Sequence, residues 1–246
     1  SNRGLSGARN RALEHIRGKY ILFVDSDDTL RKGAVQALLS KAMETNADIV
    51  QGGFVNITGH GLVFGRTGYR EGSVDETGQT PYGMAWGKVI RSSLFAHLKF
   101  PEGYWFEDTI FAFCISPFQP THYLIPEYVC NYTRNPLGIT LRSRKKAKAV
   151  DTVWIMRYLM AELAQKKEVH SAQVQQLLLQ HIALAWYRLS RLDEAVQQAA
   201  FLVMQQMYAG YYTSQDIFVQ GSRLLALHQA LTAKSYGQYL AAAEKL

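Results

Sequence analysis

Asp25, Asp27 and Asp28 stand directly after Tyr20-Ile-Leu-Phe-Val24, three carboxylates within four positions at the end of a five-residue run of strand character. In an α/β protein the carboxyl end of a strand is where ligands bind, because the crevice there is open. Asp25 and Asp27, one residue apart, can share a hard divalent cation, and such a cation bridges to phosphate oxygens. The plainer alternative is that Asp27 or Asp28 caps a helix beginning near Leu30. A second acidic pair, Glu107-Asp108, sits in Phe100-Pro-Glu-Gly-Tyr-Trp-Phe-Glu-Asp-Thr-Ile-Phe111. Tyr104, Trp105 and Phe106 beside it would desolvate a carboxylate and favour its protonated form, as a general base near neutral pH requires. Capping of a helix over 109–115 would by itself also explain an acid there.

The elements that must position these groups follow from periodicity. Leu5, Ala8, Ala12 and Ile16 fall close to helical spacing, which predicts a helix with one face on a sheet and Gly18 as its C-terminal cap. Residues 1–58 then read helix, strand, helix, strand. Val35, Leu38, Leu39 and Ala42 line the second helix, and residues 47–55 form the second strand. That alternation predicts an α/β domain with a mainly parallel sheet. Residues 59–80, rich in Gly, Thr and charge, read as a hairpin or a loop beside the site.

A compositional change follows. Arg142, Arg144, Lys145, Lys146 and Lys148 form a basic run without an acid, and the pattern beyond is helical to the end. Val174, Leu177, Leu178, His181, Ile182, Ala185, Trp186 and Leu189 make one apolar stripe, with Gln and Arg on the other face. Val196, Ala199, Leu202 and Val203 begin another. The predicted division is therefore an α/β domain over 1–140 and an α-helical module of three to five helices over 141–246. His181, inside an apolar stripe, reads as a core histidine, and the histidines show no metal-ligand spacing.

A formal net charge of +7 suits anionic partners such as sugar nucleotides or anionic lipid headgroups. Nucleic acid is not expected, because no recognised module accompanies the charge. The basic run reads as a solvated segment, with peripheral membrane contact as the alternative. Cys114 and Cys130, both in apolar or strand-like sequence, read as buried thiols in a reducing compartment. Apolar runs such as 182–187 fall far below the ~20 residues of a spanning helix. The expected location is cytoplasmic, at most at the inner face of the cell membrane.

Four segments in this order resemble inverting glycosyltransferases of family 2, which have the GT-A fold. They are Asn2-Arg-Gly-Leu-Ser-Gly-Ala-Arg-Asn10 (N-x-G-L-S-x-A-R-N), Asp25-Ser-Asp-Asp28, Trp86-Gly-Lys88 and Phe100 to Asp108 (F-P-x-G-x-x-x-E-D). Tyr123 to Arg134 resembles the strand of that family ending in Y-x-R. The resemblance spans about residues 2–140, and family members carry further strands upstream of the N-x-G-L-S helix. The chain is thus expected to lack the first part of the catalytic domain.

The resemblance implies a donor-binding set of Asp25, Arg9, Asn10, Trp86, Lys88 and Arg134, with Asp27 ligating Mn²⁺ or Mg²⁺. It also implies that Asp108 deprotonates the acceptor hydroxyl and that Glu107 orients the acceptor. Arg9 could equally be a solvated helix residue, and Trp86 could be core rather than a wall of the sugar pocket. The implied donor is a nucleotide-sugar, UDP-linked in the first instance. The implied acceptor is a glycan or lipid-linked sugar of bacterial surface polysaccharide. Without the Q-x-x-R-W signature or spanning helices of processive synthases, a non-processive enzyme is expected.

Two alternatives stay open. Phe23-Val-Asp-Ser-Asp-Asp-Thr-Leu30 also resembles the nucleophile loop of haloacid-dehalogenase-type phosphatases, with Asp25 as nucleophile and Asp27 as acid/base. The chain could also be an inactive fragment whose helical tail serves assembly, as in a homo-oligomer.

Overall fold

The computed structural model describes residues 2–136, 138–139, 143, 146–165, 172–211 and 222–244. Arg142, Arg144 and Lys145 of the basic run lie outside the described residues. The chain forms two compact units, Ser1–Glu102 with Phe118–Gly138, and Gly103–Pro117 with Ile139–Leu246.

The first unit begins with α1 (Gly4–Leu13), followed by β1 (Tyr20–Leu22), β2 (Thr29–Leu30), α2 (Ala34–Thr45) and β3 (Ile49–Ile57). The chain continues through β4 (Val63–Thr67), β5 (Gly72–Ser73), the short α3 (Val74–Thr77), β6 (Lys88–Arg91) and the long β7 (His122–Thr133). The sheet order is β1-β6-β3-β7-β2, with β4 on β3 and β5 on β7. The sheet is mixed rather than mainly parallel. β3 and β7 pair in parallel, while β6 lies between β1 and β3 and runs antiparallel to both. The strands β1, β3 and β7 therefore share one direction, and β6, β4, β2 and β5 each pair antiparallel with one or more of them.

β3 is buried along most of its length because it is covered by α2 and flanked by β6 and β7. Leu38 and Ala42 of α2 pack there with Val50, Phe54, Val89, Ile125 and Val129. Gly52 is required where β3 meets β7: an added Cβ would come 2.5 Å from Val129 Cγ1 and 2.8 Å from the Glu127 carbonyl oxygen.

Two boundaries differ from the sequence reading. The helix expected near Leu30 starts at Ala34 behind the N-cap residue Gly33, and β2 occupies the interval, so neither Asp27 nor Asp28 caps it. Helix α1 ends at Leu13 with Glu14 as C-cap, before Gly18. Its buried residues are Ser6, Gly7, Arg9 and Asn10, whereas Leu5, Ala8 and Ala12 are exposed. Polar contacts, not the apolar spacing, decide which face of α1 turns inward.

In the second unit, α4 (Asp151–Ala164), α5 (Ala172–Leu189), α6 (Glu194–Tyr211), α7 (Ser222–Thr232) and α8 (Tyr236–Ala243) pack on one another. The α5 stripe is buried at Val174, Leu178, Ile182, Ala185 and Leu189. His181 packs against the Phe113 ring at 4.9 Å, and burial pulls its imidazole down to about 4. On α6 the period holds but the phase differs. The buried face is Ala200, Phe201, Met204, Met207 and Tyr208, while Leu202 is exposed. Among the described residues no helix is long and apolar enough to cross a membrane.

Candidate active site

The strand end around Asp25 is built from aromatic packing beneath and polar straps above. Phe23 bridges to Trp86 and meets the rings of Phe95 and Phe100 edge-on, at 5.9 and 5.5 Å. The chain then turns, with the Asp28 N–H donating to the Asp25 carbonyl at 3.0 Å. Three successive contacts give the three carboxylates different environments.

Asp25 Oδ1 accepts from Arg9 Nη2 at 2.8 Å. Arg9 is only 6% exposed while the Asp25 side chain retains 25% exposure, so the cation is the more deeply placed partner. Its guanidinium lies over Phe23 and Phe100, 5.7 and 5.2 Å from the ring centres. A buried cation requires such compensation, and the solvated reading of Arg9 does not hold.

Asp27 is exposed, and its Oδ2 accepts from Asn135 Nδ2 at 2.8 Å. Asp28 is buried; its Oδ1 accepts from the Thr133 N–H at 2.8 Å, while Oδ2 has no hydrogen-bond partner. Burial pushes the Asp28 carboxyl up to about 6, against the pull of the Thr133 N–H and with help from the charges of Asp27 and Asp25. Thus Asp28 straps the turn to β7, Asp25 is set by Arg9, and Asp27 is the carboxylate presented to solvent.

The remaining donor-set residues divide. Asn10 is buried with its amide engaged: Oδ1 accepts from Phe100 N at 2.8 Å, and Nδ2 donates to Phe100 O and Glu102 Oε1. It fastens α1 to the Phe100–Glu102 segment, which Arg3 also grips through Glu102. Of the two readings for Trp86, core packing is the one observed. Trp86 stacks on Tyr132 at 5.1 Å and packs with Phe54 and Tyr82. Lys88, assigned by resemblance to donor phosphates, is instead buried, donating to the Tyr82 carbonyl at 2.8 Å over the Tyr82 ring. Gly87 between them has φ +71°, and a Cβ there would strike the Tyr82 hydroxyl. Arg134 is exposed at the end of β7, its guanidinium 6.0 Å from the Phe64 ring.

Glu107 and Asp108 belong to the second unit. They open a tight turn, Glu107–Thr109, followed by a wide helical turn, Phe111–Ile115. Glu107 is buried and Asp108 half-buried. The preceding Phe106 has φ +66°, a left-handed conformation that a bulky residue rarely adopts. The segment is held by Asp151 at the start of α4, whose Oδ2 accepts from Trp105 N at 2.8 Å. Lys148 pairs with Asp151 and donates to the Gly103 carbonyl. Arg188 of α5 lies 3.7 Å from the centre of the Phe106 ring and donates to Thr152 Oγ1 at 2.8 Å.

Residues 1–99 match the model of glycosyl transferase family 2. Over those residues the chain is similar to glycosyltransferase family 2. GlyA, a glycosyltransferase of Streptococcus pneumoniae, is 25% identical over 231 residues, covering 84% of this chain and 32% of its own length. EpsJ, an uncharacterized glycosyltransferase of Bacillus subtilis, is 44% identical over 54 residues, 22% of this chain and 16% of its own. The chain spans between 15% and 40% of the length of the curated relatives it matches. Among solved structures, S. aureus TarS 1–349 in complex with UDP-GlcNAc superposes with a TM-score of 0.74 at 17% identity, over 99% of this chain and 72% of that one. At that identity the likeness speaks for the fold, a GT-A-like α/β architecture with a helical C-terminal region.

Sequence reasoning in family 2 terms missed Asn135, Thr133, Asp151 and Arg188. Asn135 directly follows the Y-x-R segment, which was the available signal. Arg188 stands seven residues after His181 beside the apolar stripe of α5, a charge at the edge of a buried face.

Proposed function

We propose that the protein is an inverting, metal-dependent glycosyltransferase. It moves a sugar from a nucleotide-diphosphate sugar to a glycan or lipid-linked acceptor in bacterial surface polysaccharide assembly. The observation that carries this reading is the graded carboxylate set at the end of β1 within family 2 sequence. Asp25 is ion-paired to buried Arg9, Asp28 is strapped to β7, and Asp27 is left facing solvent. The UDP-GlcNAc bound by TarS supports a UDP-sugar as donor.

Among the described residues no group of three or more His, Cys, Asp or Glu side chains gathers as a metal cage. That suits Mg²⁺ or Mn²⁺ taken up through one or two carboxylates together with substrate phosphates, and solvent-facing Asp27 offers such a carboxylate. When bound there, the cation would supply positive charge against the departing diphosphate. Asp25, its carboxylate oriented by Arg9, contacts the nucleotide-sugar. Asp108 takes the proton of the acceptor hydroxyl. The acceptor oxygen forms its bond to the anomeric carbon as the bond to the diphosphate oxygen breaks, and the configuration inverts. Glu107 orients the acceptor. The phosphatase alternative requires Asp25 as a free nucleophile, which its ion pair with Arg9 disfavours.

The test separates the two carboxylates. In a UDP-release assay with UDP-GlcNAc and Mn²⁺, Asp108→Asn is expected to abolish turnover yet retain donor binding. Asp27→Asn is expected to lose metal-dependent donor binding. Equal loss of donor binding in both variants would sink this division of roles.

A further inference from the structure

We propose that the tip of the β3–β4 hairpin is an interfacial anchor for an anionic lipid bilayer. Leu62, Val63 and Phe64 enter the headgroup region, and Arg66 and Arg134 meet the lipid phosphates.

The tip is an ordered turn. The Gly61 N–H donates to the Thr58 carbonyl and the Thr58 N–H to the Leu62 carbonyl, both at 2.9 Å. The Leu62 N–H donates to Thr58 Oγ1 at 3.1 Å. This turn presents Leu62 at 70% exposure, and Val63 and Phe64 at 53% each. Single exposed apolar residues are ordinary, whereas three in a row mark a contact surface. Their burial would be favourable, and the fold of the hairpin leaves it to something outside.

Lipid, rather than another protein, fits this tip on two counts. The first is charge. The sequence from 49 to 70 holds no Asp or Glu but includes Arg66 and Arg70. Arg66 is exposed 5.8 Å from the centre of the Tyr128 ring, and Arg134 is exposed 6.0 Å from that of Phe64. The one acid of β7, Glu127, lies beside Gly52, beyond the residues that pair β3 with β4. Acyl chains take apolar side chains and anionic headgroups take guanidinium groups, so the bilayer interface matches this pattern. The second is the strand edge. Asn56 faces Gly65 and Ile57 faces Val63, which leaves Phe64 as the extra residue of a bulge. A bulge interrupts the ladder and opposes addition of a strand from another chain. The tip thus offers side chains rather than backbone.

The hairpin is also tied to the acidic turn. The Arg134 N–H donates to the Ile57 carbonyl at 2.8 Å. Its neighbours Thr133 and Asn135 hold Asp28 and Asp27. A bilayer bound at the tip is therefore linked through the end of β7 to the proposed donor site, an arrangement that suits a lipid-linked acceptor. The anchor itself does not require the transferase reading.

The experiment is flotation of the protein with vesicles of equal parts phosphatidylcholine and phosphatidylglycerol, and with phosphatidylcholine alone. Binding to the mixed vesicles, and much less to phosphatidylcholine, is expected. The double variant Leu62→Ser/Phe64→Ser is expected to bind the mixed vesicles at least about tenfold more weakly. Arg66→Gln is expected to weaken binding about fivefold, the scale of one arginine on anionic lipid. An environment-sensitive dye on Leu62→Cys is expected to shift to the blue on the mixed vesicles; Cys114 and Cys130 are buried. Vesicle binding that the double variant leaves unchanged would overturn the anchor and assign the contact to another surface. An unshifted dye, or equal binding to phosphatidylcholine alone, would also overturn it. No flotation with either vesicle would do the same and leave a protein as the occupant. Calorimetry of UDP with Mn²⁺ on the double variant, without vesicles, is expected to match the unmodified protein, so the anchor and the donor site fail separately.

Discussion

Replacing Asp28 by Asn isolates the strap that holds the acidic turn on β7. In the folded chain the Asp28 carboxyl is pushed up to about 6, chiefly by burial, whereas an unfolded aspartate titrates near ~3.9. A carboxyl with a raised folded value stabilises the fold in its protonated form. That contribution is present at low pH and is lost as pH rises through about 6. A displacement of about two units has a ceiling of about 3 kcal/mol. Relaxation of the turn and water at its edge reduce this, so the expected range is about 1–3 kcal/mol. Asparagine is neutral throughout. It keeps an oxygen for the Thr133 N–H and puts an amide where Oδ2 has no partner. Urea unfolding of both proteins at a series of pH values, in EDTA to remove divalent cations, reads the effect. Relative to the unmodified protein, Asp28→Asn is expected to gain about 1–3 kcal/mol between pH 4 and pH 7. A stability difference that stays constant across that range would refute the burial argument.

Other expectations follow from single contacts. Arg9→Met and Asp25→Asn are each expected to destabilise. Their double-mutant cycle should show a coupling of about 1–3 kcal/mol, since the pair is direct and the cation buried; independent effects would mean the ion pair contributes nothing. Asn10→Ala removes both polar links from α1 to Phe100, and unfolding should report a loss of about 2–4 kcal/mol because buried backbone groups lose their partner. A loss under about 0.5 kcal/mol would count against Asn10 as the fastening of α1. Gly52→Ala pushes a Cβ into Val129 and the Glu127 carbonyl, so a loss of about 2 kcal/mol or more is expected on thermal unfolding. An unaltered transition would show that β3 and β7 separate at little cost.

Much of the site was legible because its residues are local in sequence. The Asp25–Asp28 cluster follows a strand, Glu107-Asp108 follows aromatics, and the motif order needs no tertiary knowledge. What escaped was non-local or polar. Asn135 reaches Asp27 from 108 positions away, and Thr133 reaches Asp28 from 105. No local pattern encodes such pairings. Helix α1 misled because its apolar spacing favours Leu5, Ala8 and Ala12, while Arg9 and Asn10 gain more from an ion pair, two aromatic faces and a backbone strap. Lys88, read by resemblance as a phosphate contact, donates to a buried carbonyl, a non-local role that the motif does not encode. On α6 the period was correct, but Phe201, Met204 and Tyr208 offer more apolar area than Val196 and Ala199, and the larger side chains set the phase. The direction of β6 was hidden because pairing sense is decided by which strand comes to lie between β1 and β3.

The most direct test of donor binding at the acidic strand end is calorimetric titration of UDP into the protein, with and without Mn²⁺. Binding that requires Mn²⁺, disappears in Asp27→Asn and survives in Asp108→Asn is the expected result. UDP binding indifferent to both Mn²⁺ and Asp27, or no UDP binding at all, would contradict the assignment of Asp27 and the donor class with it.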